Sequence, residues 1–344
     1  MPIPKLLPTT VVGSYPPPSW LVDWDRLRKT VVRTRAPELW RIPEPYLEEA
    51  QDDATRLAVR DMEDAGIDIV SDGEIRRESY GTRFVLALEG VDSETPGEVV
   101  SRSGKPAYVP RVIGPIRRRE AVEVRDAEFL RRITRRGTKI TMPGPFTLMR
   151  QTKDEHYGDQ EALAMAFAEV INAELKEIKA AGVDVVQLDE PWMQSWPGEA
   201  GAFGLKAVNR ALEGIDGPTV VHVCFGYAHV MGDKKGQGYA FLPEFEGCIA
   251  RQISIEAAQP ELDLAVLREL PHKQIVLGVL DLGDQAVETP ETVARRIEAA
   301  FDYAPPERIV PAPDCGMKYM RREVAFGKLK ALAEGAALVR QRLA

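Results

Sequence analysis

The chain has 344 residues, a formal net charge of -8 and 44% hydrophobic residues, a size that suits one large α/β barrel or two smaller domains. Its acidic and basic residues are interspersed, which argues against a nucleic-acid footprint or a polybasic membrane face. The start, "MPIPKLLPTTVVGSYPPP", has neither the pattern of a signal peptide nor an apolar run long enough to span a bilayer, so a cytoplasmic protein is expected.

In chain order, a first strand is expected over 9–13, ending in Val12, Gly13 and Ser14. The amphipathic pattern "EEAQDDATRLAVRDMEDAG" then predicts a helix, with Gly66 where a C-cap needs a left-handed residue. A strand over 67–72 runs into "SDGE", with Asp72 and Glu74. The stretch "GKPAYVPRVIGPIRRREAVEV" (104–124) reads as two short strands around a Gly-Pro turn, a hairpin placed before the next strand at 138–143. The basic runs at 116–120 and 130–137 read as solvated surface.

A second long helix, "ALAMAFAEVINAELKEIKAAG", ends at Gly182, and the strand over 183–188 leads into "LDEP" with Asp189 and Glu190. "EDAGIDIVSDGE" and "IKAAGVDVVQLDE" thus repeat one order: helix end, glycine, apolar strand, acid. The fifth strand, 218–224, carries His222 and Cys224 two positions apart, hence on one face. The sixth, 252–256, ends at Glu256, and Cys248 before it reads as a buried structural thiol. Strands at 274–280 and 307–312 complete the series, the last leading into "APDCG" with Cys315. Three cysteines, an odd number, make a disulfide framework improbable.

Eight strands alternating with helices predict a (β/α)8 TIM barrel over residues 1–344, with the hairpin inserted between strands 2 and 3. A doubly wound sheet is the alternative, disfavoured because no G-x-G-x-x-G loop follows the first strand. In a barrel the active site lies at the C-terminal strand ends, where the acids and thiols named above collect. His222, Cys224, Glu256 and Cys315 offer one nitrogen, two sulfurs and a carboxylate, a donor set that suits Zn2+.

The motifs "VVGSYP", "SDGE", "MPGPFTL", "QLDEP", "VHVCFGY", "ISIEAA" and "PAPDCGMK", spread over residues 11–318, resemble the C-terminal catalytic barrel of the cobalamin-independent methionine synthase family. The resemblance implies a homocysteine S-methyltransferase whose zinc is held by His222, Cys224, Glu256 and Cys315. It also implies homocysteine contacts at Val12, Gly13 and Ser14, with Glu74 and Asp189 near the amino group.

The chain departs from that family on the methyl-donor side. Gln151 stands where the family has a tryptophan against the pterin, Ser195 where a glutamate contacts the folate, and Gly283 where a histidine donates a proton. N5 of methyltetrahydrofolate leaves poorly unless protonated, so either Asp281, Asp284 or His229 substitutes as the acid, or the donor is a better one such as methylcobalamin. A corrinoid or helper protein would then be a partner, and Trp192 and Trp196 could stack on a flat cofactor or serve the fold. Two other readings stand beside this one: an alkyltransferase acting on coenzyme M, whose sulfonate Glu74 and Asp189 would repel, and a non-catalytic zinc or thiol-binding relative. Aldolase chemistry ranks below all of these, since no lysine falls at an expected strand end.

Overall fold

The computed structural model describes residues 3–29, 36–102, 104–227 and 234–344. Its strands are β1 (Ile69–Ser71), β2 (Leu88–Val100), β3 (Pro106–Arg118), β4 (Gly137–Pro143), β5 (Lys153–Asp154), β6 (Val185–Asp189), β7 (Thr219–Val223), β8 (Gln252–Ile255), β9 (Gln274–Leu280) and β10 (Ile309–Pro313). Seven of them form one parallel sheet in the order β1-β4-β6-β7-β8-β9-β10. Parallel neighbours need long crossovers, and helices such as Leu47–Asp64, Gln160–Ala180, Leu205–Leu212, Pro290–Glu298 and Arg322–Leu343 lie between or after the strands. No helix among the described residues is long and apolar enough to cross a membrane.

The seven strands coincide with seven of the eight expected from sequence. The first expected strand, 9–13, is not a regular strand. Thr10 makes a single parallel bridge to Ile69, Ile69 N donates to Thr9 O at 3.0 Å, and Thr10 N donates to Pro311 O at 3.1 Å. This segment therefore touches both β1 and β10, the two edges of the sheet. The prolines at 16, 17 and 18 lack the N–H that a longer ladder would use.

The repeated helix–glycine–strand unit explains how the short segment is held. Gly66 and Gly182 adopt φ +92° and +89°, the left-handed cap that only glycine takes without steric cost. The aspartate two residues on then pins the start of a neighbouring strand. Asp68 Oδ2 accepts from Thr9 N and Thr9 Oγ1, both at 2.9 Å. Asp184 Oδ2 does the same for Thr138, from N at 2.8 Å and Oγ1 at 2.9 Å. One local motif, used twice, sets the register of residues 9–14 and of β4.

The sheet is apolar on both faces. The larger core packs its outer face against helices, with Phe167, Ile171, Leu188, Val221 and Leu332 all fully buried. A second cluster, Ile69, Val185, Val220, Val276, Val310 and Ala312, fills the other face, enclosed by the curl of the strands. That two-sided burial is what long apolar strand runs require.

The expected hairpin needs relocation. β2 and β3 pair antiparallel, with Val100 opposite Pro106, so the turn lies near 101–105 and not at Gly114-Pro115, which sits inside β3. Pro115 is tolerated because the β2–β3 register shifts between Glu89 and Val91, whose partners Arg117 and Val112 leave residues 113–116 outside the paired ladder. β5 joins β3 to complete this separate sheet.

Asp68→Ala removes both carboxylate bonds to Thr9. We expect a loss of about 1–3 kcal/mol in denaturant unfolding, with faster hydrogen exchange at Thr9 and Thr10 than in the body of the parallel sheet.

Candidate active site

Alternation decides which side chains face inward. On β6, Val185, Gln187 and Asp189 share a face, and on β7 so do Val220 and His222, with Cys224 one step beyond the strand. Val185 and Val220 belong to the enclosed cluster, so the polar residues above them line the C-terminal end of the same space.

There the structure brings His222, Cys224 and Cys315 together: a ring nitrogen and the two sulfurs lie within 4.8 Å of one another, all buried. His222 Nδ1 is bonded to Ser254 Oγ at 2.8 Å, whereas His222 Nε2 is buried without a hydrogen-bond partner among the described residues. A buried imidazole with one nitrogen fixed and the other bare beside two thiols is arranged as a metal ligand. A hydrogen bond from Cys315 pulls the Cys224 thiol well below its usual range, and the same contact pushes Cys315 up. Burial is the largest influence on His222 and disfavours its cation, but Cys224, Asp189 and Glu256 together outweigh it and raise the imidazole. The group thus concentrates negative charge that a divalent cation would neutralise.

Glu256 is not in that group. Its carboxylate accepts from Phe225 N at 3.0 Å and from Lys234 Nζ at 2.7 Å, and burial pushes it up to about 8. Asp314 fixes this corner. Its buried carboxylate accepts from the backbone of Ala257, Ala258 and Gln259 at 3.1, 3.0 and 2.6 Å, tying the turn after Glu256 to the residue before Cys315. Gly278 leaves room for it, since a Cβ there would stand 2.1 Å from Asp314 Oδ1.

The expected amino-acid contacts form a second, adjoining cluster. Glu74 has φ +54°, an uncommon conformation outside glycine that marks functional sites. Its Oε1 accepts from Thr141 Oγ1 at 2.9 Å, and its Oε2 is buried without a hydrogen-bond partner among the described residues. A Cβ on Gly13 would stand 2.4 Å from Glu74 Oε1, so glycine there lets the backbone reach the carboxylate. Gln187 Nε2 donates to Val12 O at 2.9 Å and to Asp189 Oδ1 at 2.7 Å, while Tyr80 OH donates to Asp189 Oδ2 at 2.5 Å. Lys139 Nζ at 3.0 Å from Gln187 Oε1 fixes the orientation of that amide. Burial raises both Glu74 and Asp189 above the usual carboxylate range. Ser14 Oγ lies 3.5 Å from Tyr227 OH, and Met317 N donates to Ser14 O at 2.9 Å.

The remaining expectations separate cleanly. Asp72 is buried and its Oδ1 caps Glu74 N at 3.1 Å. Cys248 is a free buried thiol apart from the group. Glu190 accepts from Phe146 N, Thr147 N and Thr147 Oγ1 at 3.0, 2.8 and 2.7 Å, anchoring the start of helix Pro145–Arg150. Gly283 lines a cleft with Tyr227, Gly316, Tyr319 and Met320. Asp281 and Asp284 cap their own loop through Gly283 N and Ala286 N, and His229 lies outside the described residues. Trp192 and Trp196 stack on each other at 5.0 Å, with Arg150 4.6 Å from the Trp196 ring centre. Trp192 is also 3% exposed, so the pair serves the fold and Trp192 has no open face for a flat cofactor.

Sequence reasoning missed Ser254, Lys139, Gln187, Tyr80, Asp314 and Lys234. Ser254 and Gln187 were within reach of alternation, each two residues before an acid already singled out. Lys139 was visible as a lone charge in an apolar strand, but Lys234 left no local signal.

Ser254→Ala frees the His222 ring while leaving the sulfurs in place. Zinc affinity, read by chelator competition, should fall about 10- to 100-fold, with little change in unfolding midpoint.

Comparison with known proteins gives the family. The family model for the cobalamin-independent synthase catalytic domain matches residues 7–198 and 243–338. A methionine synthase of Thermococcus kodakarensis is 32% identical over 343 residues, covering 98% of this chain and 95% of that protein. One of Sulfurisphaera tokodaii is 33% identical over 98% and 94%. The solved structure of a B12-independent methionine synthase from a Shewanella species, in complex with selenomethionine, matches with a TM-score of 0.89 at 35% identity, covering 98% of this chain and 99% of that one. With its family model spanning most of its length and its strand-end acids and thiols in one place, the chain belongs to the cobalamin-independent methionine synthase family, as a form of its catalytic domain.

Proposed function

We propose that the protein transfers a methyl group to the thiol of L-homocysteine, giving methionine, on a (β/α)8 barrel over residues 1–344 in which residues 9–13 take the place of the first strand and the β2–β3 hairpin is the insertion. The carrying observation is the pair of bare buried atoms, His222 Nε2 beside two sulfurs and Glu74 Oε2 in the adjoining cluster. One suits a metal and the other an ammonium group, the two things an amino-acid thiol brings together. That the Shewanella relative was solved with selenomethionine supports an amino acid of this shape in the cleft.

In this reading His222, Cys224 and Cys315 would hold zinc, with Glu256 as a further, exchangeable ligand. Bound zinc would supply Lewis acidity that keeps the substrate sulfur deprotonated at neutral pH. The protein's own residues do the positioning. Glu74 and Asp189 take the ammonium, and the backbone of Val12, Gly13 and Ser14 takes the rest of the amino-acid head. The sulfur then attacks the donor methyl in line, forming the S–C bond as the donor–C bond breaks and its electron pair leaves with the donor.

On the donor side, the cleft beside Gly283 is lined, among the described residues, by Tyr227, Leu282, Gln285, Gly316, Tyr319 and Met320, none of which carries a carboxyl or imidazole group. Burial holds Tyr227 well above its usual range, so it stays protonated and is a weak acid. That favours a donor whose leaving group needs little protonation, a methyl-corrinoid over methyltetrahydrofolate, delivered free or by a corrinoid or helper protein.

The test is methionine formation from L-homocysteine by zinc-loaded protein, with methylcobalamin and 5-methyltetrahydrofolate compared at equal concentration. We expect turnover with methylcobalamin. Cys315→Ser should lose zinc and activity together, and full zinc content and activity in that variant would end the zinc reading.

A further inference from the structure

We propose that Lys234 is a positioning residue that keeps Glu256 exchangeable, holding the carboxylate whenever the substrate sulfur occupies the fourth position beside His222, Cys224 and Cys315. The inference rests on the functional reading above and concerns a residue outside the expected ligand set. Its basis is the contrast between two buried groups. His222 Nε2 is bare, whereas both Glu256 oxygens already have protein donors, Phe225 N at 3.0 Å and Lys234 Nζ at 2.7 Å.

The ion pair is fully enclosed, with side-chain exposures of 1% for Lys234 and 0% for Glu256. Lys234 Nζ also donates to Gly226 O, in the turn just after Cys224, so the ammonium is anchored beside the metal group. The backbone that carries Glu256 is fixed as well. Glu256 N donates to Tyr239 OH at 2.8 Å, and Tyr239 OH donates to Val223 O at 2.9 Å. The side chain can therefore swing without moving the strand end.

Charge explains why the lysine matters. A carboxylate released into a buried site without a counter-ion is strongly disfavoured. With Lys234 present, a carboxylate giving way to a thiolate at a bound metal would meet a cation already in place. Without Lys234, no other ion-pair partner of Glu256 stands among the described residues, so a bound metal would keep the carboxylate and the substrate sulfur would have to compete against it.

The experiment uses the cobalt(II)-substituted full chain, which reports sulfur ligation through its charge-transfer absorption. Wild type, Lys234→Met, Glu256→Gln and the double variant are titrated with L-homocysteine, and metal affinity is measured by chelator competition. Lys234→Met should bind cobalt more tightly and homocysteine about tenfold or more weakly, a difference of about 1.4 kcal/mol. In the Glu256→Gln background the same substitution should change homocysteine affinity less than about twofold, because the carboxylate it serves is gone. Lys234→Gln, which retains a donor for Gly226 O without the charge, should reproduce the loss and serves if the methionine variant does not fold. Unchanged homocysteine affinity in Lys234→Met and Lys234→Gln overturns the proposal, as does an equal loss in the Glu256→Gln background, which would make Lys234 merely structural. If wild type shows no thiol-dependent spectral change while binding cobalt, the homocysteine reading itself falls, and this inference with it.

Discussion

A parallel strand turns every second side chain toward the enclosed face of its sheet, and the chemistry of this protein is built on that constraint. Lower on the strands the enclosed positions include Ile69, Val185, Val220, Val276 and Val310, which pack on one another. One or two steps further toward the C-terminal ends the same positions become Gln187, Asp189, His222, Ser254 and, beyond the strand, Cys224 and Glu256. A hydrophobic plug below excludes water from the polar layer above, so each charge there acts in a low dielectric. That is why the carboxyls of Glu74 and Asp189 are pushed up by burial, and why a bare nitrogen and two thiols at one point imply a ligand.

Burying so many polar groups is tolerable only if each is oriented, and the structure does this with carboxylates that accept backbone N–H groups. Asp314 holds three of them and joins the ends of β8 and β10. Glu190 holds two and sets the helix that follows β4. Asp68 and Asp184 do the same at the opposite ends of the strands, where they fix register. These acids touch no substrate in the proposed reaction, yet they decide where the reacting groups stand. Glycines at 13 and 278 complete the arrangement by leaving space that a methyl group would fill.

The two clusters divide the work of recognising an amino-acid thiol. In the proposed reaction the sulfur end would meet His222, Cys224 and Cys315, and the ammonium end Glu74 and Asp189, with the backbone of residues 12–14 between. Two buried carboxylates disfavour a sulfonate-bearing thiol, which separates this site from one built for coenzyme M. The cleft proposed for the donor is built differently, with Tyr227, Tyr319, Gly283 and Gly316 among its described lining residues.

The sequence by itself determined the parallel strands, the helices between them and the ligand types at the strand ends. Those features are local: apolar runs, glycine caps, and a His-x-Cys pair whose shared face follows from the period of two. It also held the acids of "SDGE" and "LDEP", because a charged residue closing an apolar strand is conspicuous. Only the tertiary structure decided how residues 9–14 close the gap between β1 and β10, since a single bridge and two side-chain bonds leave no periodic trace. The turn of the hairpin went the same way, with Gly114-Pro115 lying in β3 at an irregularity of the β2–β3 ladder. The pairing of Lys234 with Glu256, and the three backbone groups gathered by Asp314, join residues 22 and more than 50 positions apart. Such contacts depend on the curl of the sheet, which brings distant strand ends to one rim, and no local pattern encodes that distance.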